Sequence, residues 1–175
     1  MVWLEIKEFI KDSAKIVIVV VIALLIMVYV FSITQVVGPS MDPTLSEGNI
    51  LILNKIKYKF SDVKRGDIIS LKNPTHKYLI KRVIGMPGDA IRIEDNILYI
   101  NEKEYKEDYL PSDVNYSDFD LTEINYDKIP DNMYFVLGDN RPDSYDSRDI
   151  GLIKKEDIIG KISLRFWPLS EFKFI

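Results

Sequence analysis

The sequence predicts a mainly β protein, an antiparallel sheet or barrel anchored by one N-terminal transmembrane helix. Three observations carry this. Residues 16–33, IVIVVVIALLIMVYVFSI, form a run of eighteen residues without a charge. Beyond it the apolar runs are short and are separated by turn residues. Helical periodicity is scarce there, and many short strands at close spacing point to an all-β architecture.

The N-terminal run has the length of a membrane span. At 1.5 Å per residue, eighteen helical residues cover about 27 Å, close to the ~30 Å hydrocarbon core of a bilayer. A cleavable leader would have a shorter apolar core followed by a small-X-small site. Here the long run is followed by TQVVGPS, so a permanent span over 16–33 is expected. Lys7, Lys11 and Lys15 precede it, and the next basic residue is Lys55. The positive-inside rule then puts residues 1–15 in the cytoplasm and residues 34–175 outside the plasma membrane.

Within residues 34–175, strands are expected at 49–54, 67–71, 78–84, 89–93, 97–101, 133–137 and 159–166. IRIEDNILYINEKEY reads as consecutive hairpins, with EDN and NEK at the turns. Residues 102–131 break the series. They hold ten Asp/Glu against three Lys, lack clean periodicity, and read as a solvated acidic insertion or extension.

Composition excludes several chemistries. The net charge is −4, and no basic run is interleaved with aromatics, so no nucleic-acid partner is expected. The chain has no cysteine, which rules out a thiol nucleophile, disulfides and cysteine-held zinc. His76 is the only histidine, too few for a multi-histidine metal site. No metal or cofactor is expected.

Three stretches carry candidate chemistry. VVGPSMDPTLSEGN places Ser40 on a backbone restricted by Gly38 and Pro39, where it is either an exposed nucleophile or a turn serine. YLIKRVIG puts two adjacent cations on opposite faces of an apolar strand, Lys81 between Leu79 and Val83, and Arg82 between Ile80 and Ile84. Lys81 either snorkels to water or is buried and loses charge. GDNRPDSYDSRDIG is either a polar loop of local turns or a rigid support in which Asp139, Arg141, Asp146 and Arg148 lock one another around Ser144. A Ser40 nucleophile needs a base. His76 has no flanking feature that recommends it, whereas a lysine can serve once burial or a nearby cation lowers its pKa.

Taken together, SMDPTL, RGDII, KRVIGMPGD and GDNRPDSYDSR, in that order behind one span, resemble bacterial type I signal peptidases, which are membrane-bound serine–lysine proteases. The resemblance covers nearly the whole chain and is nearer the compact single-span form typical of Gram-positive organisms. It implies Ser40 as nucleophile and Lys81 as general base, with Ser144 orienting the lysine amine. It implies Asp139, Asn140, Arg141, Asp146 and Arg148 as supporting residues, and the Ser40 N–H as part of the oxyanion hole. Some members carry a second oxyanion donor, a serine, where this chain has Gly38.

The implied partners are signal-peptide-bearing precursor proteins and the lipid bilayer, with cleavage after Ala-X-Ala-like sites. Shallow apolar pockets for the two small residues are expected near Val36, Met41, Leu45, Leu79 and Ile80, and the apolar tail FWPLSEFKFI is expected at the membrane surface or in the core. Two alternatives remain at this stage. One is a related self-cleaving serine–lysine peptidase. The other is an anchored β domain that binds extended segments of exported chains without cutting them.

Overall fold

The computed structural model describes residues 2–73, 75, 77–111, 114–115 and 117–175; side chains are not described at 2, 4 and 5, and His76 lies outside the described residues. Helix α1 (Val2–Val30) comes first. Its segment Ile6–Val30 is long and apolar enough to cross a membrane, and none of its hydrophobic window is buried within the protein. The helix therefore reaches further toward the N-terminus than the expected 16–33 and stops short of its C-terminal end. Phe31–Gln35 forms strand β1 instead, pairing with β2 (Ile50–Asn54) from Phe31↔Asn54 to Gln35↔Ile50. Hydropathy cannot separate the two, because FSI continues an apolar run; the strand partner decides. Lys55 fastens the junction, its N–H donating to Val30 O and its Nζ to Val28 O, both at 2.8 Å. These are carbonyls a helix end leaves unpaired.

A short helix α2 (Lys57–Phe60) leads to β3 (Ile68–Lys72) and β4 (Tyr78–Gly85). There follow β5 (Ile91–Glu94), β6 (Ile97–Ile100), β7 (Lys103–Glu104), β8 (Phe119–Asp120) and β9 (Met133–Leu137). Helix α3 (Ser147–Ile150), β10 (Ile153–Lys154), β11 (Ile158–Trp167) and β12 (Lys173–Phe174) complete the chain. The larger sheet runs β1-β2-β11-β3-β4-β9-β10 with β12 on β11, and the smaller runs β7-β6-β5-β8. The pairings are antiparallel. The fold is thus the expected antiparallel β domain behind one apolar helix.

Strand alternation distributes the core. Phe135 and Leu137 of β9 join Ile84, Ile91, Ile93, Leu98 and Phe119 between the two sheets. Tyr134 and Val136, on the other face of β9, pack with Val63, Ile69, Leu71, Val83 and Ile153. Both faces of MYFVL are covered, which is why that strand is apolar without alternation. A third cluster gathers Val36, Met41, Leu45, Leu51, Leu53, Ile68 and Ile162 beneath the loop after β1.

The acidic segment differs from the expected solvated excursion. It contributes β7 and β8 to the smaller sheet and buries Phe119, Leu121 and Ile129 in the inter-sheet core. Tyr105, Tyr109, Val114, Ile124 and Tyr126 pack against that core. Most of its described charges other than Glu107 face outward while single apolar side chains between them face in, a pattern that net composition hides.

Candidate active site

The site is built on β4. It carries two adjacent cations, Lys81 and Arg82, with β3 paired along Tyr78–Arg82 on one side and β9 along Arg82–Gly85 on the other. Both are buried, Lys81 to 2% exposure and Arg82 to 8%. Arg82 forms a two-pronged pair with Asp139, Nε to Oδ1 at 2.8 Å and a terminal nitrogen to Oδ2 at 2.5 Å. It also donates to Gly66 O at 3.1 Å. That bond gives the RGD turn, with Gly66 at φ +88°, a direct link to the strand.

Lys81 meets a hydroxyl instead of a carboxylate. Its Nζ lies 2.7 Å from Ser40 Oγ as hydrogen-bond donor. Burial pushes its pKa down from the ordinary 10.5 to about 8; Asp146 opposes this, and Arg148 adds to it. A strand thus buries an amine with no ion pair among the described residues and delivers it to a serine 41 residues earlier in the chain. The snorkelling alternative is excluded for Lys81.

Ser40 is held by the loop that follows β1. Gly38 takes φ +80°, a left-handed turn that favours glycine. Asn140 then clamps the loop from the far side, its N–H donating to Ser40 O and its Nδ2 to Pro39 O, each at 3.1 Å. Gly138 allows this close approach: a Cβ there would overlap the Ser144 side chain and the Ser40 carbonyl.

The support behind this clamp centres on Asp146, which has no exposed surface. It accepts from the Gly138 N–H at 3.1 Å and from Arg148 through Nε and a terminal nitrogen, both at 2.9 Å. It also caps α3, with Asp149 reciprocating at the Asp146 N–H. Arg148 donates as well to Arg141 O at 2.8 Å. Of the four residues expected to lock one another, Asp146 and Arg148 form an ion pair, whereas Asp139 and Arg141 pair with residues outside the set. Asp139 serves Arg82, Asp146 serves Arg148, and Arg141 serves Glu107, with its nitrogen 2.6 Å from Oε2.

Two expectations are corrected. Ser144 Oγ is buried beside Gly138 and makes no hydrogen bond to a described group, so the expected bond to Lys81 is not formed here. The five residues expected to line pockets do not form one open wall. Val36, Met41 and Leu45 are 3%, 1% and 0% exposed within the core floor under the Ser40 loop. Leu79 and Ile80 are half-buried against different clusters, the Val63 cluster and the Val36 cluster respectively, because neighbours on a strand face opposite ways. A cleft of about 900 Å³ borders Ser144, Asp139 and Arg148 and is not lined by Ser40 or Lys81.

Sequence reasoning missed the partners of the arginines. Arg82 could have been found, since a guanidinium on the covered face of an apolar strand requires a carboxylate. Glu107 and Tyr109 carry no such local signal.

The chain matches, over residues 6–167, the family described as "Signal peptidase, peptidase S26". It is 43% identical over 152 residues to Signal peptidase I V of Bacillus subtilis, covering 82% of this chain and 90% of that protein. Signal peptidase IB of Staphylococcus aureus (strain MRSA252) is 34% identical over 180 residues, covering 96% of this chain and 94% of the relative. The crystal structure of a signal peptidase I from Enterococcus faecalis superposes with a TM-score of 0.53 at 37% identity, covering 58% of this chain and 97% of that one.

Proposed function

This chain belongs to the signal peptidase family, peptidase S26, and from that premise we propose that it is a membrane-anchored serine endopeptidase. In this reading it removes N-terminal signal peptides from exported precursors after Ala-X-Ala-like sites, by a Ser40/Lys81 dyad. The observation that carries it is the 2.7 Å approach of Lys81 Nζ to Ser40 Oγ, with the amine brought to about 8 by burial.

The steps follow from this geometry. Neutral Lys81 accepts the Ser40 hydroxyl proton as Oγ attacks the scissile carbonyl carbon. The Ser40 N–H donates to the developing oxyanion. Collapse of the tetrahedral intermediate breaks the C–N bond, and the Lys81 ammonium returns its proton to the leaving amine. Water then attacks the Ser40 ester, again with Lys81 as base, releasing the signal peptide and restoring the serine. Ser144 Oγ, close to the Ser40 loop and free of other hydrogen bonds among the described residues, is available to hold the lysine amine once its proton moves.

The anchor is α1, with residues 1–15 cytoplasmic and the β domain on the outer face, supported by the basic flank Lys7, Lys11 and Lys15. Apolar side chains of the domain lie exposed where the helix ends. Ile33 pairs across to Ile52, which pairs to Leu164, which pairs to Phe174, and Ile33 and Phe174 are both exposed. With Trp167 and Phe172 also exposed, this face rests on the bilayer and keeps Ser40 near the surface where an anchored signal peptide emerges.

The test is cleavage of a purified precursor with an Ala-X-Ala site, in detergent, by wild type beside Ser40→Ala and Lys81→Ala. Cutting after the second alanine by wild type alone is expected. An intact precursor with folded wild type, or undiminished cutting by either variant, sinks the dyad.

A further inference from the structure

We propose that Glu107 and Tyr109, in the acidic segment, are positioning residues for the Ser40 loop, acting through Arg141 and Arg82; the proposal rests on the peptidase reading above. Arg141 is the largest fully buried side chain among the described residues, with no side-chain exposure. Its guanidinium faces the Glu107 carboxylate, itself only 8% exposed, with one nitrogen at 2.6 Å from Oε2 and another bonded to Oε1. The Tyr109 hydroxyl donates to Glu107 Oε1 and accepts from Arg141 at 3.2 Å. Burial, and after it the Glu107 carboxylate, holds the Tyr109 hydroxyl well above its ordinary pKa, so this proton stays in place. The face of the Tyr109 ring carries the other arginine, with Arg82 Cζ 3.8 Å from its centroid.

Both arginines lead to the loop that clamps the nucleophile. Arg141 Nε donates to Gly138 O at 2.9 Å, and Gly138 is the residue on which the Ser40 carbonyl and Ser144 close. Arg82 grips Asp139. Between these two anchored residues and Arg141 sits Asn140, whose N–H and side chain hold Ser40 O and Pro39 O. Residues 138–141 are therefore pinned from the sheet by Arg82 and from the acidic segment by Glu107 and Tyr109. Removing the Glu107 charge leaves Arg141 buried without its carboxylate, and the loop must move to rehydrate it. Ser40 moves with the loop.

The experiment separates kcat from KM on the Ala-X-Ala precursor for wild type, Glu107→Gln, Glu107→Asp and Tyr109→Phe, and follows hydrogen exchange at the Asn140 amide. Glu107→Gln is expected to lower kcat by about tenfold or more, with KM nearly unchanged, as sub-ångström misplacement does. Its Asn140 amide is expected to exchange faster, and Glu107→Asp to recover part of both. Glu107→Gln with a lowered melting temperature but wild-type kcat and Asn140 exchange overturns the proposal, reducing the pair to a structural tie. Should Glu107→Gln fail to fold, Tyr109→Phe decides, because it keeps the ring under Arg82. A measurable fall in kcat with faster Asn140 exchange supports the proposal, and unchanged values for both overturn it. An inactive wild type sinks the peptidase reading instead, and the exchange data alone then say whether Glu107 holds the loop.

Discussion

Lys81 and Arg82 are adjacent on strand β4, yet among the described residues only Arg82 has a carboxylate partner. Arg82 is locked to Asp139, while Lys81 reaches Ser40 and makes no ion pair with a described residue. Burying a charge is tolerated when it is paired; when it is unpaired, the group tends to give up its proton. The same short strand thus pairs one cation with a carboxylate and buries the other where its pKa is lowered to about 8.

The pH dependence follows directly. In the proposed mechanism cleavage needs neutral Lys81, and its pKa is pushed down to about 8. Below that value the neutral fraction falls about tenfold per pH unit. The rate is expected to climb through pH 6–8 and level off above it. A flat profile across this range in kcat/KM would count against Lys81 as base.

Replacing the lysine tests the same shift through stability. A folded-state pKa below the unfolded one makes the native state less stable wherever the unfolded lysine is charged. The penalty is full below about pH 8 and is gone above 10.5, and it corresponds to roughly 3 kcal/mol. Lys81→Met is expected to be inactive yet more stable than wild type at pH 6.5, by up to about 3 kcal/mol less the lost Ser40 bond, with the gain fading between pH 8 and 10.5. Denaturant unfolding at pH 6.5 and 10 checks this. Lys81→Arg is expected to be inactive at every pH, since arginine does not deprotonate.

The Arg82–Asp139 pair makes an opposite prediction. Arg82→Met or Asp139→Leu alone leaves a buried, uncompensated charge, at a cost of about 3–5 kcal/mol. The double variant is expected to cost much less than the sum of the two. A double-mutant cycle in chemical unfolding measures the difference, and additive losses would refute the pairing.

Gly138→Ala places a methyl group against the Ser144 side chain and the Ser40 carbonyl. Backbone cannot yield as a flexible side chain can, so the Ser40 loop shifts. Activity is expected to drop by about a hundredfold, with the protein still folded by circular dichroism.

Ser144→Ala separates role from stability. Its hydroxyl is buried without a partner among the described residues, so removal is expected to change folding stability by less than about 1 kcal/mol. Activity should fall all the same, if the hydroxyl steadies the amine during proton transfer. Equal kcat in variant and wild type would remove Ser144 from the mechanism.

Local pattern carried much of the fold. Strand 133–137 was legible to the residue as Met133–Leu137, and 78–84 became Tyr78–Gly85, because β-branched runs bounded by glycine and proline report strand structure locally. Strands β7, β8, β10 and β12 are two residues long and exist only because a partner is in reach, so no window of sequence shows them. Phe31–Gln35 was hidden by the apolar helix it continues. Phe119 and Leu121 were hidden by the acidic residues between which they stand.

The sequence by itself determined the apolar N-terminal helix, the β class, and which serine and lysine to consider, since composition, periodicity and the family's motifs are written along the chain. Tertiary structure alone decided that Lys81 is buried with no ion pair among the described residues, that it meets Ser40 across 41 residues, and that Glu107 and Tyr109 from an acidic segment sit on Arg141 and Arg82. The reason is physical. A strand's hydropathy says which faces are apolar, but the charge state of a side chain depends on what the rest of the chain brings against it in space.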